Sequence, residues 1–160
     1  MKGVDLTVPA GEGLLNIRVG AILRRDGLVL MAGNAGVDYL YSVGGRVRFG
    51  ETAEEAVVRE VLEETGVTMA VKGLAFIHEC FFDGDVPSAV GKRVHEIAFY
   101  YEMDIPEDFE PVCGSAALGG CREWLEWIDP ATETRAFYPA FFRQELERPC
   151  HGVRCIVTRE

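Results

Sequence analysis

Gly44 to Val67 reads GGRVRFGETAEEAVVREVLEETGV, and this stretch decides the fold. Thr52 supplies a capping hydroxyl and Glu55 follows three positions later, the paired signal for a helix start. Ala53, Glu54, Glu55, Ala56 and Leu62 favour helix, and Gly66 stands where a left-handed terminating residue is wanted. The spacing therefore predicts a helix from about Ala53 to Thr65. On it Glu60, Glu63 and Glu64 lie at i, i+3 and i+4 and share one face, an arc of roughly 100°. Ala53 and Ala56 fall in the same arc and leave room beside the carboxylates. Val58, Val61 and Leu62 are expected to face a core from the other side, with Val57 at the border.

Three neighbouring carboxylates repel one another unless protonated or paired with cations. A hard divalent cation such as Mg²⁺ relieves this, taking a few carboxylates, waters and substrate phosphates as ligands. Gly44 and Gly45 precede the helix by a short loop. Glycines let backbone approach a ligand closely, and amides near a helix start attract phosphate oxygens. A glycine turn beside a carboxylate-rich helix points to hydrolysis of a phosphate ester or pyrophosphate. The plainer reading of Glu60, Glu63 and Glu64 alone is a solvated acidic helix face. The fixed positions around them weigh against it.

Those positions make the stretch resemble the Nudix box, G-x5-E-x7-R-E-U-x-E-E-x-G-U with U a bulky aliphatic residue. Gly45, Glu51, Arg59, Glu60, Val61, Glu63, Glu64, Gly66 and Val67 fill it with no departure. Seven fixed identities, each used at roughly 5–8% in ordinary chains, make a chance match in one window far rarer than about one in a million. The resemblance implies an α/β fold, a Nudix-type α/β/α sandwich around a mixed sheet. It also implies a pyrophosphohydrolase acting on a nucleoside diphosphate derivative. Glu60, Glu63 and Glu64 would hold Mg²⁺ or Mn²⁺, Glu51 and Arg59 would keep the loop–helix geometry, and the Gly44-Gly45 backbone would lie against metal or phosphate. Which carboxylate takes the proton of water varies in this family. Here Glu60, Glu63, Glu64, Glu96, Glu102 and Glu123 all stay open. A ligand-binding or regulatory Nudix domain without turnover is the alternative, although such domains usually lose box carboxylates.

The 160 residues are read as one domain, 1–160, with an irregular arm over about 1–14. Composition is ordinary for a soluble protein: 48% hydrophobic and 26% charged. A net charge of −10, from 26 acidic against 16 basic residues, argues against a nonspecific binder of duplex nucleic acid, which needs a basic footprint. It leaves free nucleotides open as small-molecule substrates. No apolar run is long enough for a membrane span or signal core, so the cytoplasm is the expected compartment. A homodimer is left open. Five cysteines, an odd and scattered set, do not read as a secreted disulfide framework. A zinc site from Cys113, Cys121, Cys150, His151 and Cys155 is conceivable, but no C-x2-C pair supports it.

Along the chain, Leu15 to Leu23 reads as a buried strand, Asp26-Gly27 as a hairpin turn, and Leu28 to Ala32 and Tyr39 to Val43 as strands. Met69 to Phe82 is one or two strands broken near Gly73. Val94 to Met103 alternates cleanly as a strand, placing Glu96 and Glu102 on one face. Glu123 to Ile128 and Val153 to Thr158 complete the strands, and Pro139 to Leu146 is expected to be helical. Arg18, a lone cation in an apolar strand, reads equally as a phosphate or base contact and as a structural ion pair or an exposed strand face. His78 reads as a packed histidine. Val43 and Arg48 depart from residues common in the family, a proline and an acid. Marks of particular subfamilies are not matched, and Pro87 lies too far beyond the box to serve as one.

Overall fold

A computed structural model describes residues 3–85, 88–112, 123–149 and 151–160. Its elements in order are β1 (Thr7–Ala10), β2 (Gly13–Ile22), β3 (Arg24–Arg25), β4 (Leu28–Asn34), β5 (Leu40–Ser42), β6 (Gly44–Arg46), α1 (Ala53–Thr65), β7 (Ala70–Asp83), β8 (Arg93–Asp104), β9 (Glu123–Ile128), β10 (Phe137–Tyr138), α2 (Phe142–Glu145) and β11 (Arg154–Arg159). The first sheet runs β1-β2-β8-β7-β11, with β6 also on β2. It is mixed: β2 with β8 and β7 with β11 are parallel, β7 with β8 antiparallel. The second sheet runs β10-β5-β4-β3, with β9 on β4.

Helix α1 has the predicted bounds because its ends are chemically specified. The Thr52 hydroxyl accepts from the Glu55 amide and the Glu55 carboxylate accepts from the Thr52 amide. Gly66 closes the helix at φ 75° with its amide on the Leu62 carbonyl. The buried face differs from the expected one. Ala56, Val57 and Val61 are buried, whereas Leu62 is 44% exposed. The helix is rotated so that the Ala53–Ala56–Glu60–Glu64 side, not the Leu62 side, adjoins the sheets. Val57 and Val61 pack there with Val19 and Ala21 of β2, Leu23 just beyond it, Leu30 and Ala32 of β4, and Leu125 of β9. A second core lies toward α2, where Phe142 meets Ile22, Met31, Phe76, Tyr100, Ile128 and Phe137. Helix α1, the sheets and α2 thus give the expected α/β/α sandwich.

The segment read as an irregular arm is ordered for part of its length. Thr7–Ala10 pairs antiparallel with the first half of β2, and Leu6 continues the edge by hydrogen bonds to Val47 and Ile17. Pro9 is compatible with this because β1 is an edge strand, where a missing amide costs little. Beyond it β6 takes over the same edge, pairing Arg18 with Arg46 and Gly20 with Gly44. The hairpin turn between β3 and β4 has positive φ at both Asp26 and Gly27, as a two-residue loop demands. Strand β7 is continuous, with register shifts at Val71/Gly73 and Leu74/Phe76 in place of the expected break. The helix expected over Pro139 to Leu146 shortens to α2, preceded by β10, which pairs parallel with β5. Cys80 is buried and Cys155 exposed, both as free thiols. Pro87, Cys113, Cys121 and Cys150 lie outside the described residues. No helix among the described residues is long and apolar enough to cross a membrane.

His78 packs edge-on against Phe141 at 4.9 Å and shares a 2.9 Å hydrogen bond with the Thr158 hydroxyl. Burial pushes its imidazole down to about 4. A histidine neutral in the fold and ordinary when unfolded stabilises fully above about pH 6.5 and loses that contribution as pH falls toward 4. Melting curves at pH 7 and pH 4.5 should therefore show a larger acid loss for the wild type than for His78→Phe. Equal losses would remove His78 as a source of acid sensitivity.

Candidate active site

The site is assembled by the edge of β2, the β6 backbone and the inward side of α1. Arg59 is its hub. Its guanidinium grips Glu51 with two bonds, Nε to Oε1 at 2.6 Å and Nη2 to Oε2 at 2.9 Å. It also donates to Glu60 at 2.5 Å and to the Arg46 carbonyl at 3.0 Å, and lies 3.5 Å from Glu63. Glu51 in turn accepts from the Arg48 amide at 2.9 Å. The Arg59 guanidinium, hydrogen-bonded to it, holds the Glu51 carboxyl below the usual carboxylate range. The loop between β6 and α1 is thereby tied to the helix it precedes.

Glycine is required at the contact between β6 and α1. A Cβ on Gly45 would lie 2.4 Å from the Glu60 carboxyl carbon, and one on Gly44, at φ 151°, 2.2 Å from the Val19 carbonyl oxygen. The Gly44 amide donates to Glu64 at 3.0 Å. Burial first, then the charges of Glu60 and Glu123, push the Glu64 carboxyl up to about 8, against the lowering effect of the Gly44 bond and Arg18. Glu60 and Glu64 are thus brought together against the glycine backbone. Glu63 is turned outward, half-exposed, between Arg59 and Arg48, each at 3.5 Å.

Glu123, at the start of β9, joins this corner. It accepts from the Tyr41 hydroxyl at 3.3 Å, and Tyr41 accepts from Asn34 at 3.0 Å. Glu96 is buried on β8 in register with Asn16, whose amide points to it at 3.4 Å. Arg18 sits beside them. Burial works against its charge, but Glu96, Tyr100, Glu64 and Glu60 outweigh this and raise its pKa. Glu102 is not part of the group. It lines a separate cleft with Arg24, Lys72 and Asp26. Asn16, Tyr41 and the Arg48–Glu63 contact had no motif to announce them. The one signal available for Asn16 was its place two residues before Arg18, on the same face of an otherwise apolar strand.

Among the described residues, no three His, Cys, Asp or Glu side chains stand close enough to hold a metal ion, and Glu60 and Glu63 are paired with Arg59. The donor chemistry nevertheless fits one. Glu60, Glu63 and Glu64 are hard oxygen donors on one helix, and Glu64, raised chiefly by burial, also feels the charges of Glu60 and Glu123. A divalent ion suits such a set, with Glu60 and Glu63 exchanging Arg59 for it.

The NUDIX domain family model matches residues 14–144, and the chain belongs to that family. Among solved structures it is similar to the MutT protein from Methanosarcina mazei Go1, at 24% identity and TM-score 0.55 over 88% of this chain and 95% of that one. It is also similar to an ADP-ribose pyrophosphatase from Streptococcus suis, at 15% identity and TM-score 0.55 over 88% and 98%. The E. coli ORF135 protein matches at 24% identity and TM-score 0.51 over 88% and 91%. These likenesses concern the fold. No curated protein matches the sequence.

Two substitutions should part company in metal-free protein. A carboxyl raised to about 8 in the fold and ordinary when unfolded favours folding below about pH 4.5, and that contribution is lost as pH rises through 8. Glu64→Gln keeps the shape and the acceptor for Gly44, so its melting temperature should gain on the wild type between pH 5 and pH 9. Arg59→Ala strips the cation from partly buried carboxylates and should cost about 3 kcal/mol. Paired melts of both variants check this, and a Glu64→Gln protein that melts well below wild type at pH 9 would contradict the assignment.

Proposed function

We propose that this protein is a pyrophosphohydrolase that cleaves the diphosphate linkage of a nucleoside diphosphate derivative with the help of Mg²⁺ or Mn²⁺. The observation that carries the reading is the complete box of Glu51, Arg59, Glu60, Glu63 and Glu64, with Glu60 and Glu64 set against the Gly44–Gly45 backbone. Membership of the NUDIX family and neighbours titled MutT protein and ADP-ribose pyrophosphatase support the reaction class.

Glu60, Glu63 and Glu64 would hold the ion, which when bound supplies charge neutralisation for the diphosphate and a more acidic water. Arg59 and Glu51 keep the helix and loop at a fixed separation, so the carboxylates do not drift as charge accumulates. Gly44 and Gly45 leave backbone, not side chain, beside the phosphates. Glu64 and Glu123 are the carboxylates best placed to accept the proton of the attacking water. Glu64 stands at the Gly44 amide, and Glu123 reaches the same corner from the opposite sheet. We further propose that the 160 residues act as one domain in the cytoplasm on free nucleotides, without duplex nucleic acid or membrane, a homodimer being compatible with this.

Phosphate or pyrophosphate release across a panel of nucleoside triphosphates, dinucleotides and nucleotide sugars tests the reading. Turnover should appear with Mg²⁺ or Mn²⁺, vanish in excess chelator, and fall by orders of magnitude in Glu64→Gln. Undiminished turnover in chelator would refute the metal role. Absence of turnover on every member of the panel would favour a binding or regulatory domain.

A further inference from the structure

The box accounts for the diphosphate and leaves open what reads the rest of the ligand. Next to it, the sheet floor carries charged groups at a position where an apolar surface would be more stable. Asn16 and Arg18 project from the same face of β2, and Glu96 stands beside them on β8. Glu96 and Asn16 are buried. The Asn16 side-chain oxygen Oδ1 is buried without a hydrogen-bond partner, a defect that costs stability unless something supplies a donor. Among the described residues, Arg18 enters no hydrogen bond and no ion pair within 4 Å, although the charges of Glu96, Glu64 and Glu60 all act on it. Its donors are therefore unspent. Among the described residues, the one side-chain bond to the Glu96 carboxylate is the 3.4 Å contact from Asn16, which orients it and leaves acceptor capacity free.

We infer that Arg18 and Glu96, with Asn16 as the positioning residue for Glu96, form a base-reading subsite beside the box, and that the base it fits is guanine. The inference rests on the hydrolase reading for the location of the phosphates. The chemistry separates the candidates. A phosphate brings acceptors only, so it would satisfy Arg18 while setting its charge against Glu96. A base edge brings acceptors and donors side by side. Guanine offers O6 and N7 to a guanidinium fork, the pairing arginine favours in nucleic acids. It also offers N1–H and the 2-amino group to a carboxylate, so both ionic groups can bind in two-point fashion. Adenine and cytosine present one amino group with no adjacent N–H, and uracil presents one N–H with no amino group. Each leaves part of the pair unmatched, and unmatched buried polar groups are what a selective site uses to reject an analogue.

The test is equilibrium binding by calorimetry, in Mg²⁺, of GDP, IDP, ADP, CDP and UDP. GDP should bind about tenfold or more tightly than ADP, CDP and UDP, with IDP, which lacks only the 2-amino group, losing part of that margin, as expected for two-point contacts. Glu96→Gln and Arg18→Lys should shrink the spread between bases. Equal binding of all five by the wild type would overturn the inference, and that measurement does not depend on a variant that folds. Variants that weaken every nucleotide by the same factor would also overturn it, and would make Arg18 a phosphate contact. GDP-selective binding with no phosphate release from any nucleotide would sink the hydrolase reading and leave the subsite standing. Turnover with no preference among bases would do the reverse.

Discussion

The two-pronged contact between Arg59 and Glu51 is the constraint on which the rest of the site depends. Helix α1 presents carboxylates toward a strand edge, an arrangement that electrostatics alone would push apart. Arg59 answers this from within the same helix, and Glu51 anchors it to the chain just before the helix begins. The bond to the Arg46 carbonyl extends the tie to β6. One cation therefore fixes the roll of the helix, the path of the loop and the approach of Gly44 and Gly45 at once. Lysine could supply the charge but not the planar fork that reaches two oxygens of one carboxylate and a second carboxylate together.

That geometry explains why the helix buries a different face from the one its aliphatic residues marked. Leu62 looked like core and is exposed, while Val57, read as a border residue, is buried and Val58 packs partly buried against the core. In the structure, small residues and the glycine backbone let α1 come close on the Ala56–Glu60 side, and Glu64 finds an amide there instead of water. Hydrophobic spacing measures the preference of isolated side chains. It does not see a backbone donor brought from elsewhere in the chain.

Local chemistry was the most legible part of the sequence. Both ends of α1 were readable to the residue because Thr52, Glu55 and Gly66 define them by neighbouring atoms. The Asp26-Gly27 turn was readable for the same reason. β1 and β6 were not, since glycine and proline there signalled interruption, while the edge of β2 supplied the hydrogen bonds. Glu96 and Glu102 alternate onto one face, yet six residues along a strand amount to about 20 Å, and it is Glu96 that stands beside Asn16 and acts on Arg18. Arg18 could not be assigned from its own surroundings in the sequence. Its meaning comes from Glu96 and Glu64, which lie 78 and 46 positions away in the chain and arrive through parallel pairing and helix docking.

The succession of β1 and β6 along one edge of β2 places the start of the chain in mechanical series with the box. Val4, Asp5 and Leu6 lie outside the region matched by the family, yet Leu6 and Phe49 exchange backbone bonds with Val47 and Val4, and Asp5 lies within 4 Å of both Arg46 and Arg48. Arg48 also reaches Glu63. The N-terminal segment therefore works as a splint along the outer side of the loop. Load applied to these residues, whether by cleavage or by a partner pulling on them, would be felt at Glu63 through Arg48 as well as at the first hydrophobic core, on which Leu6 packs.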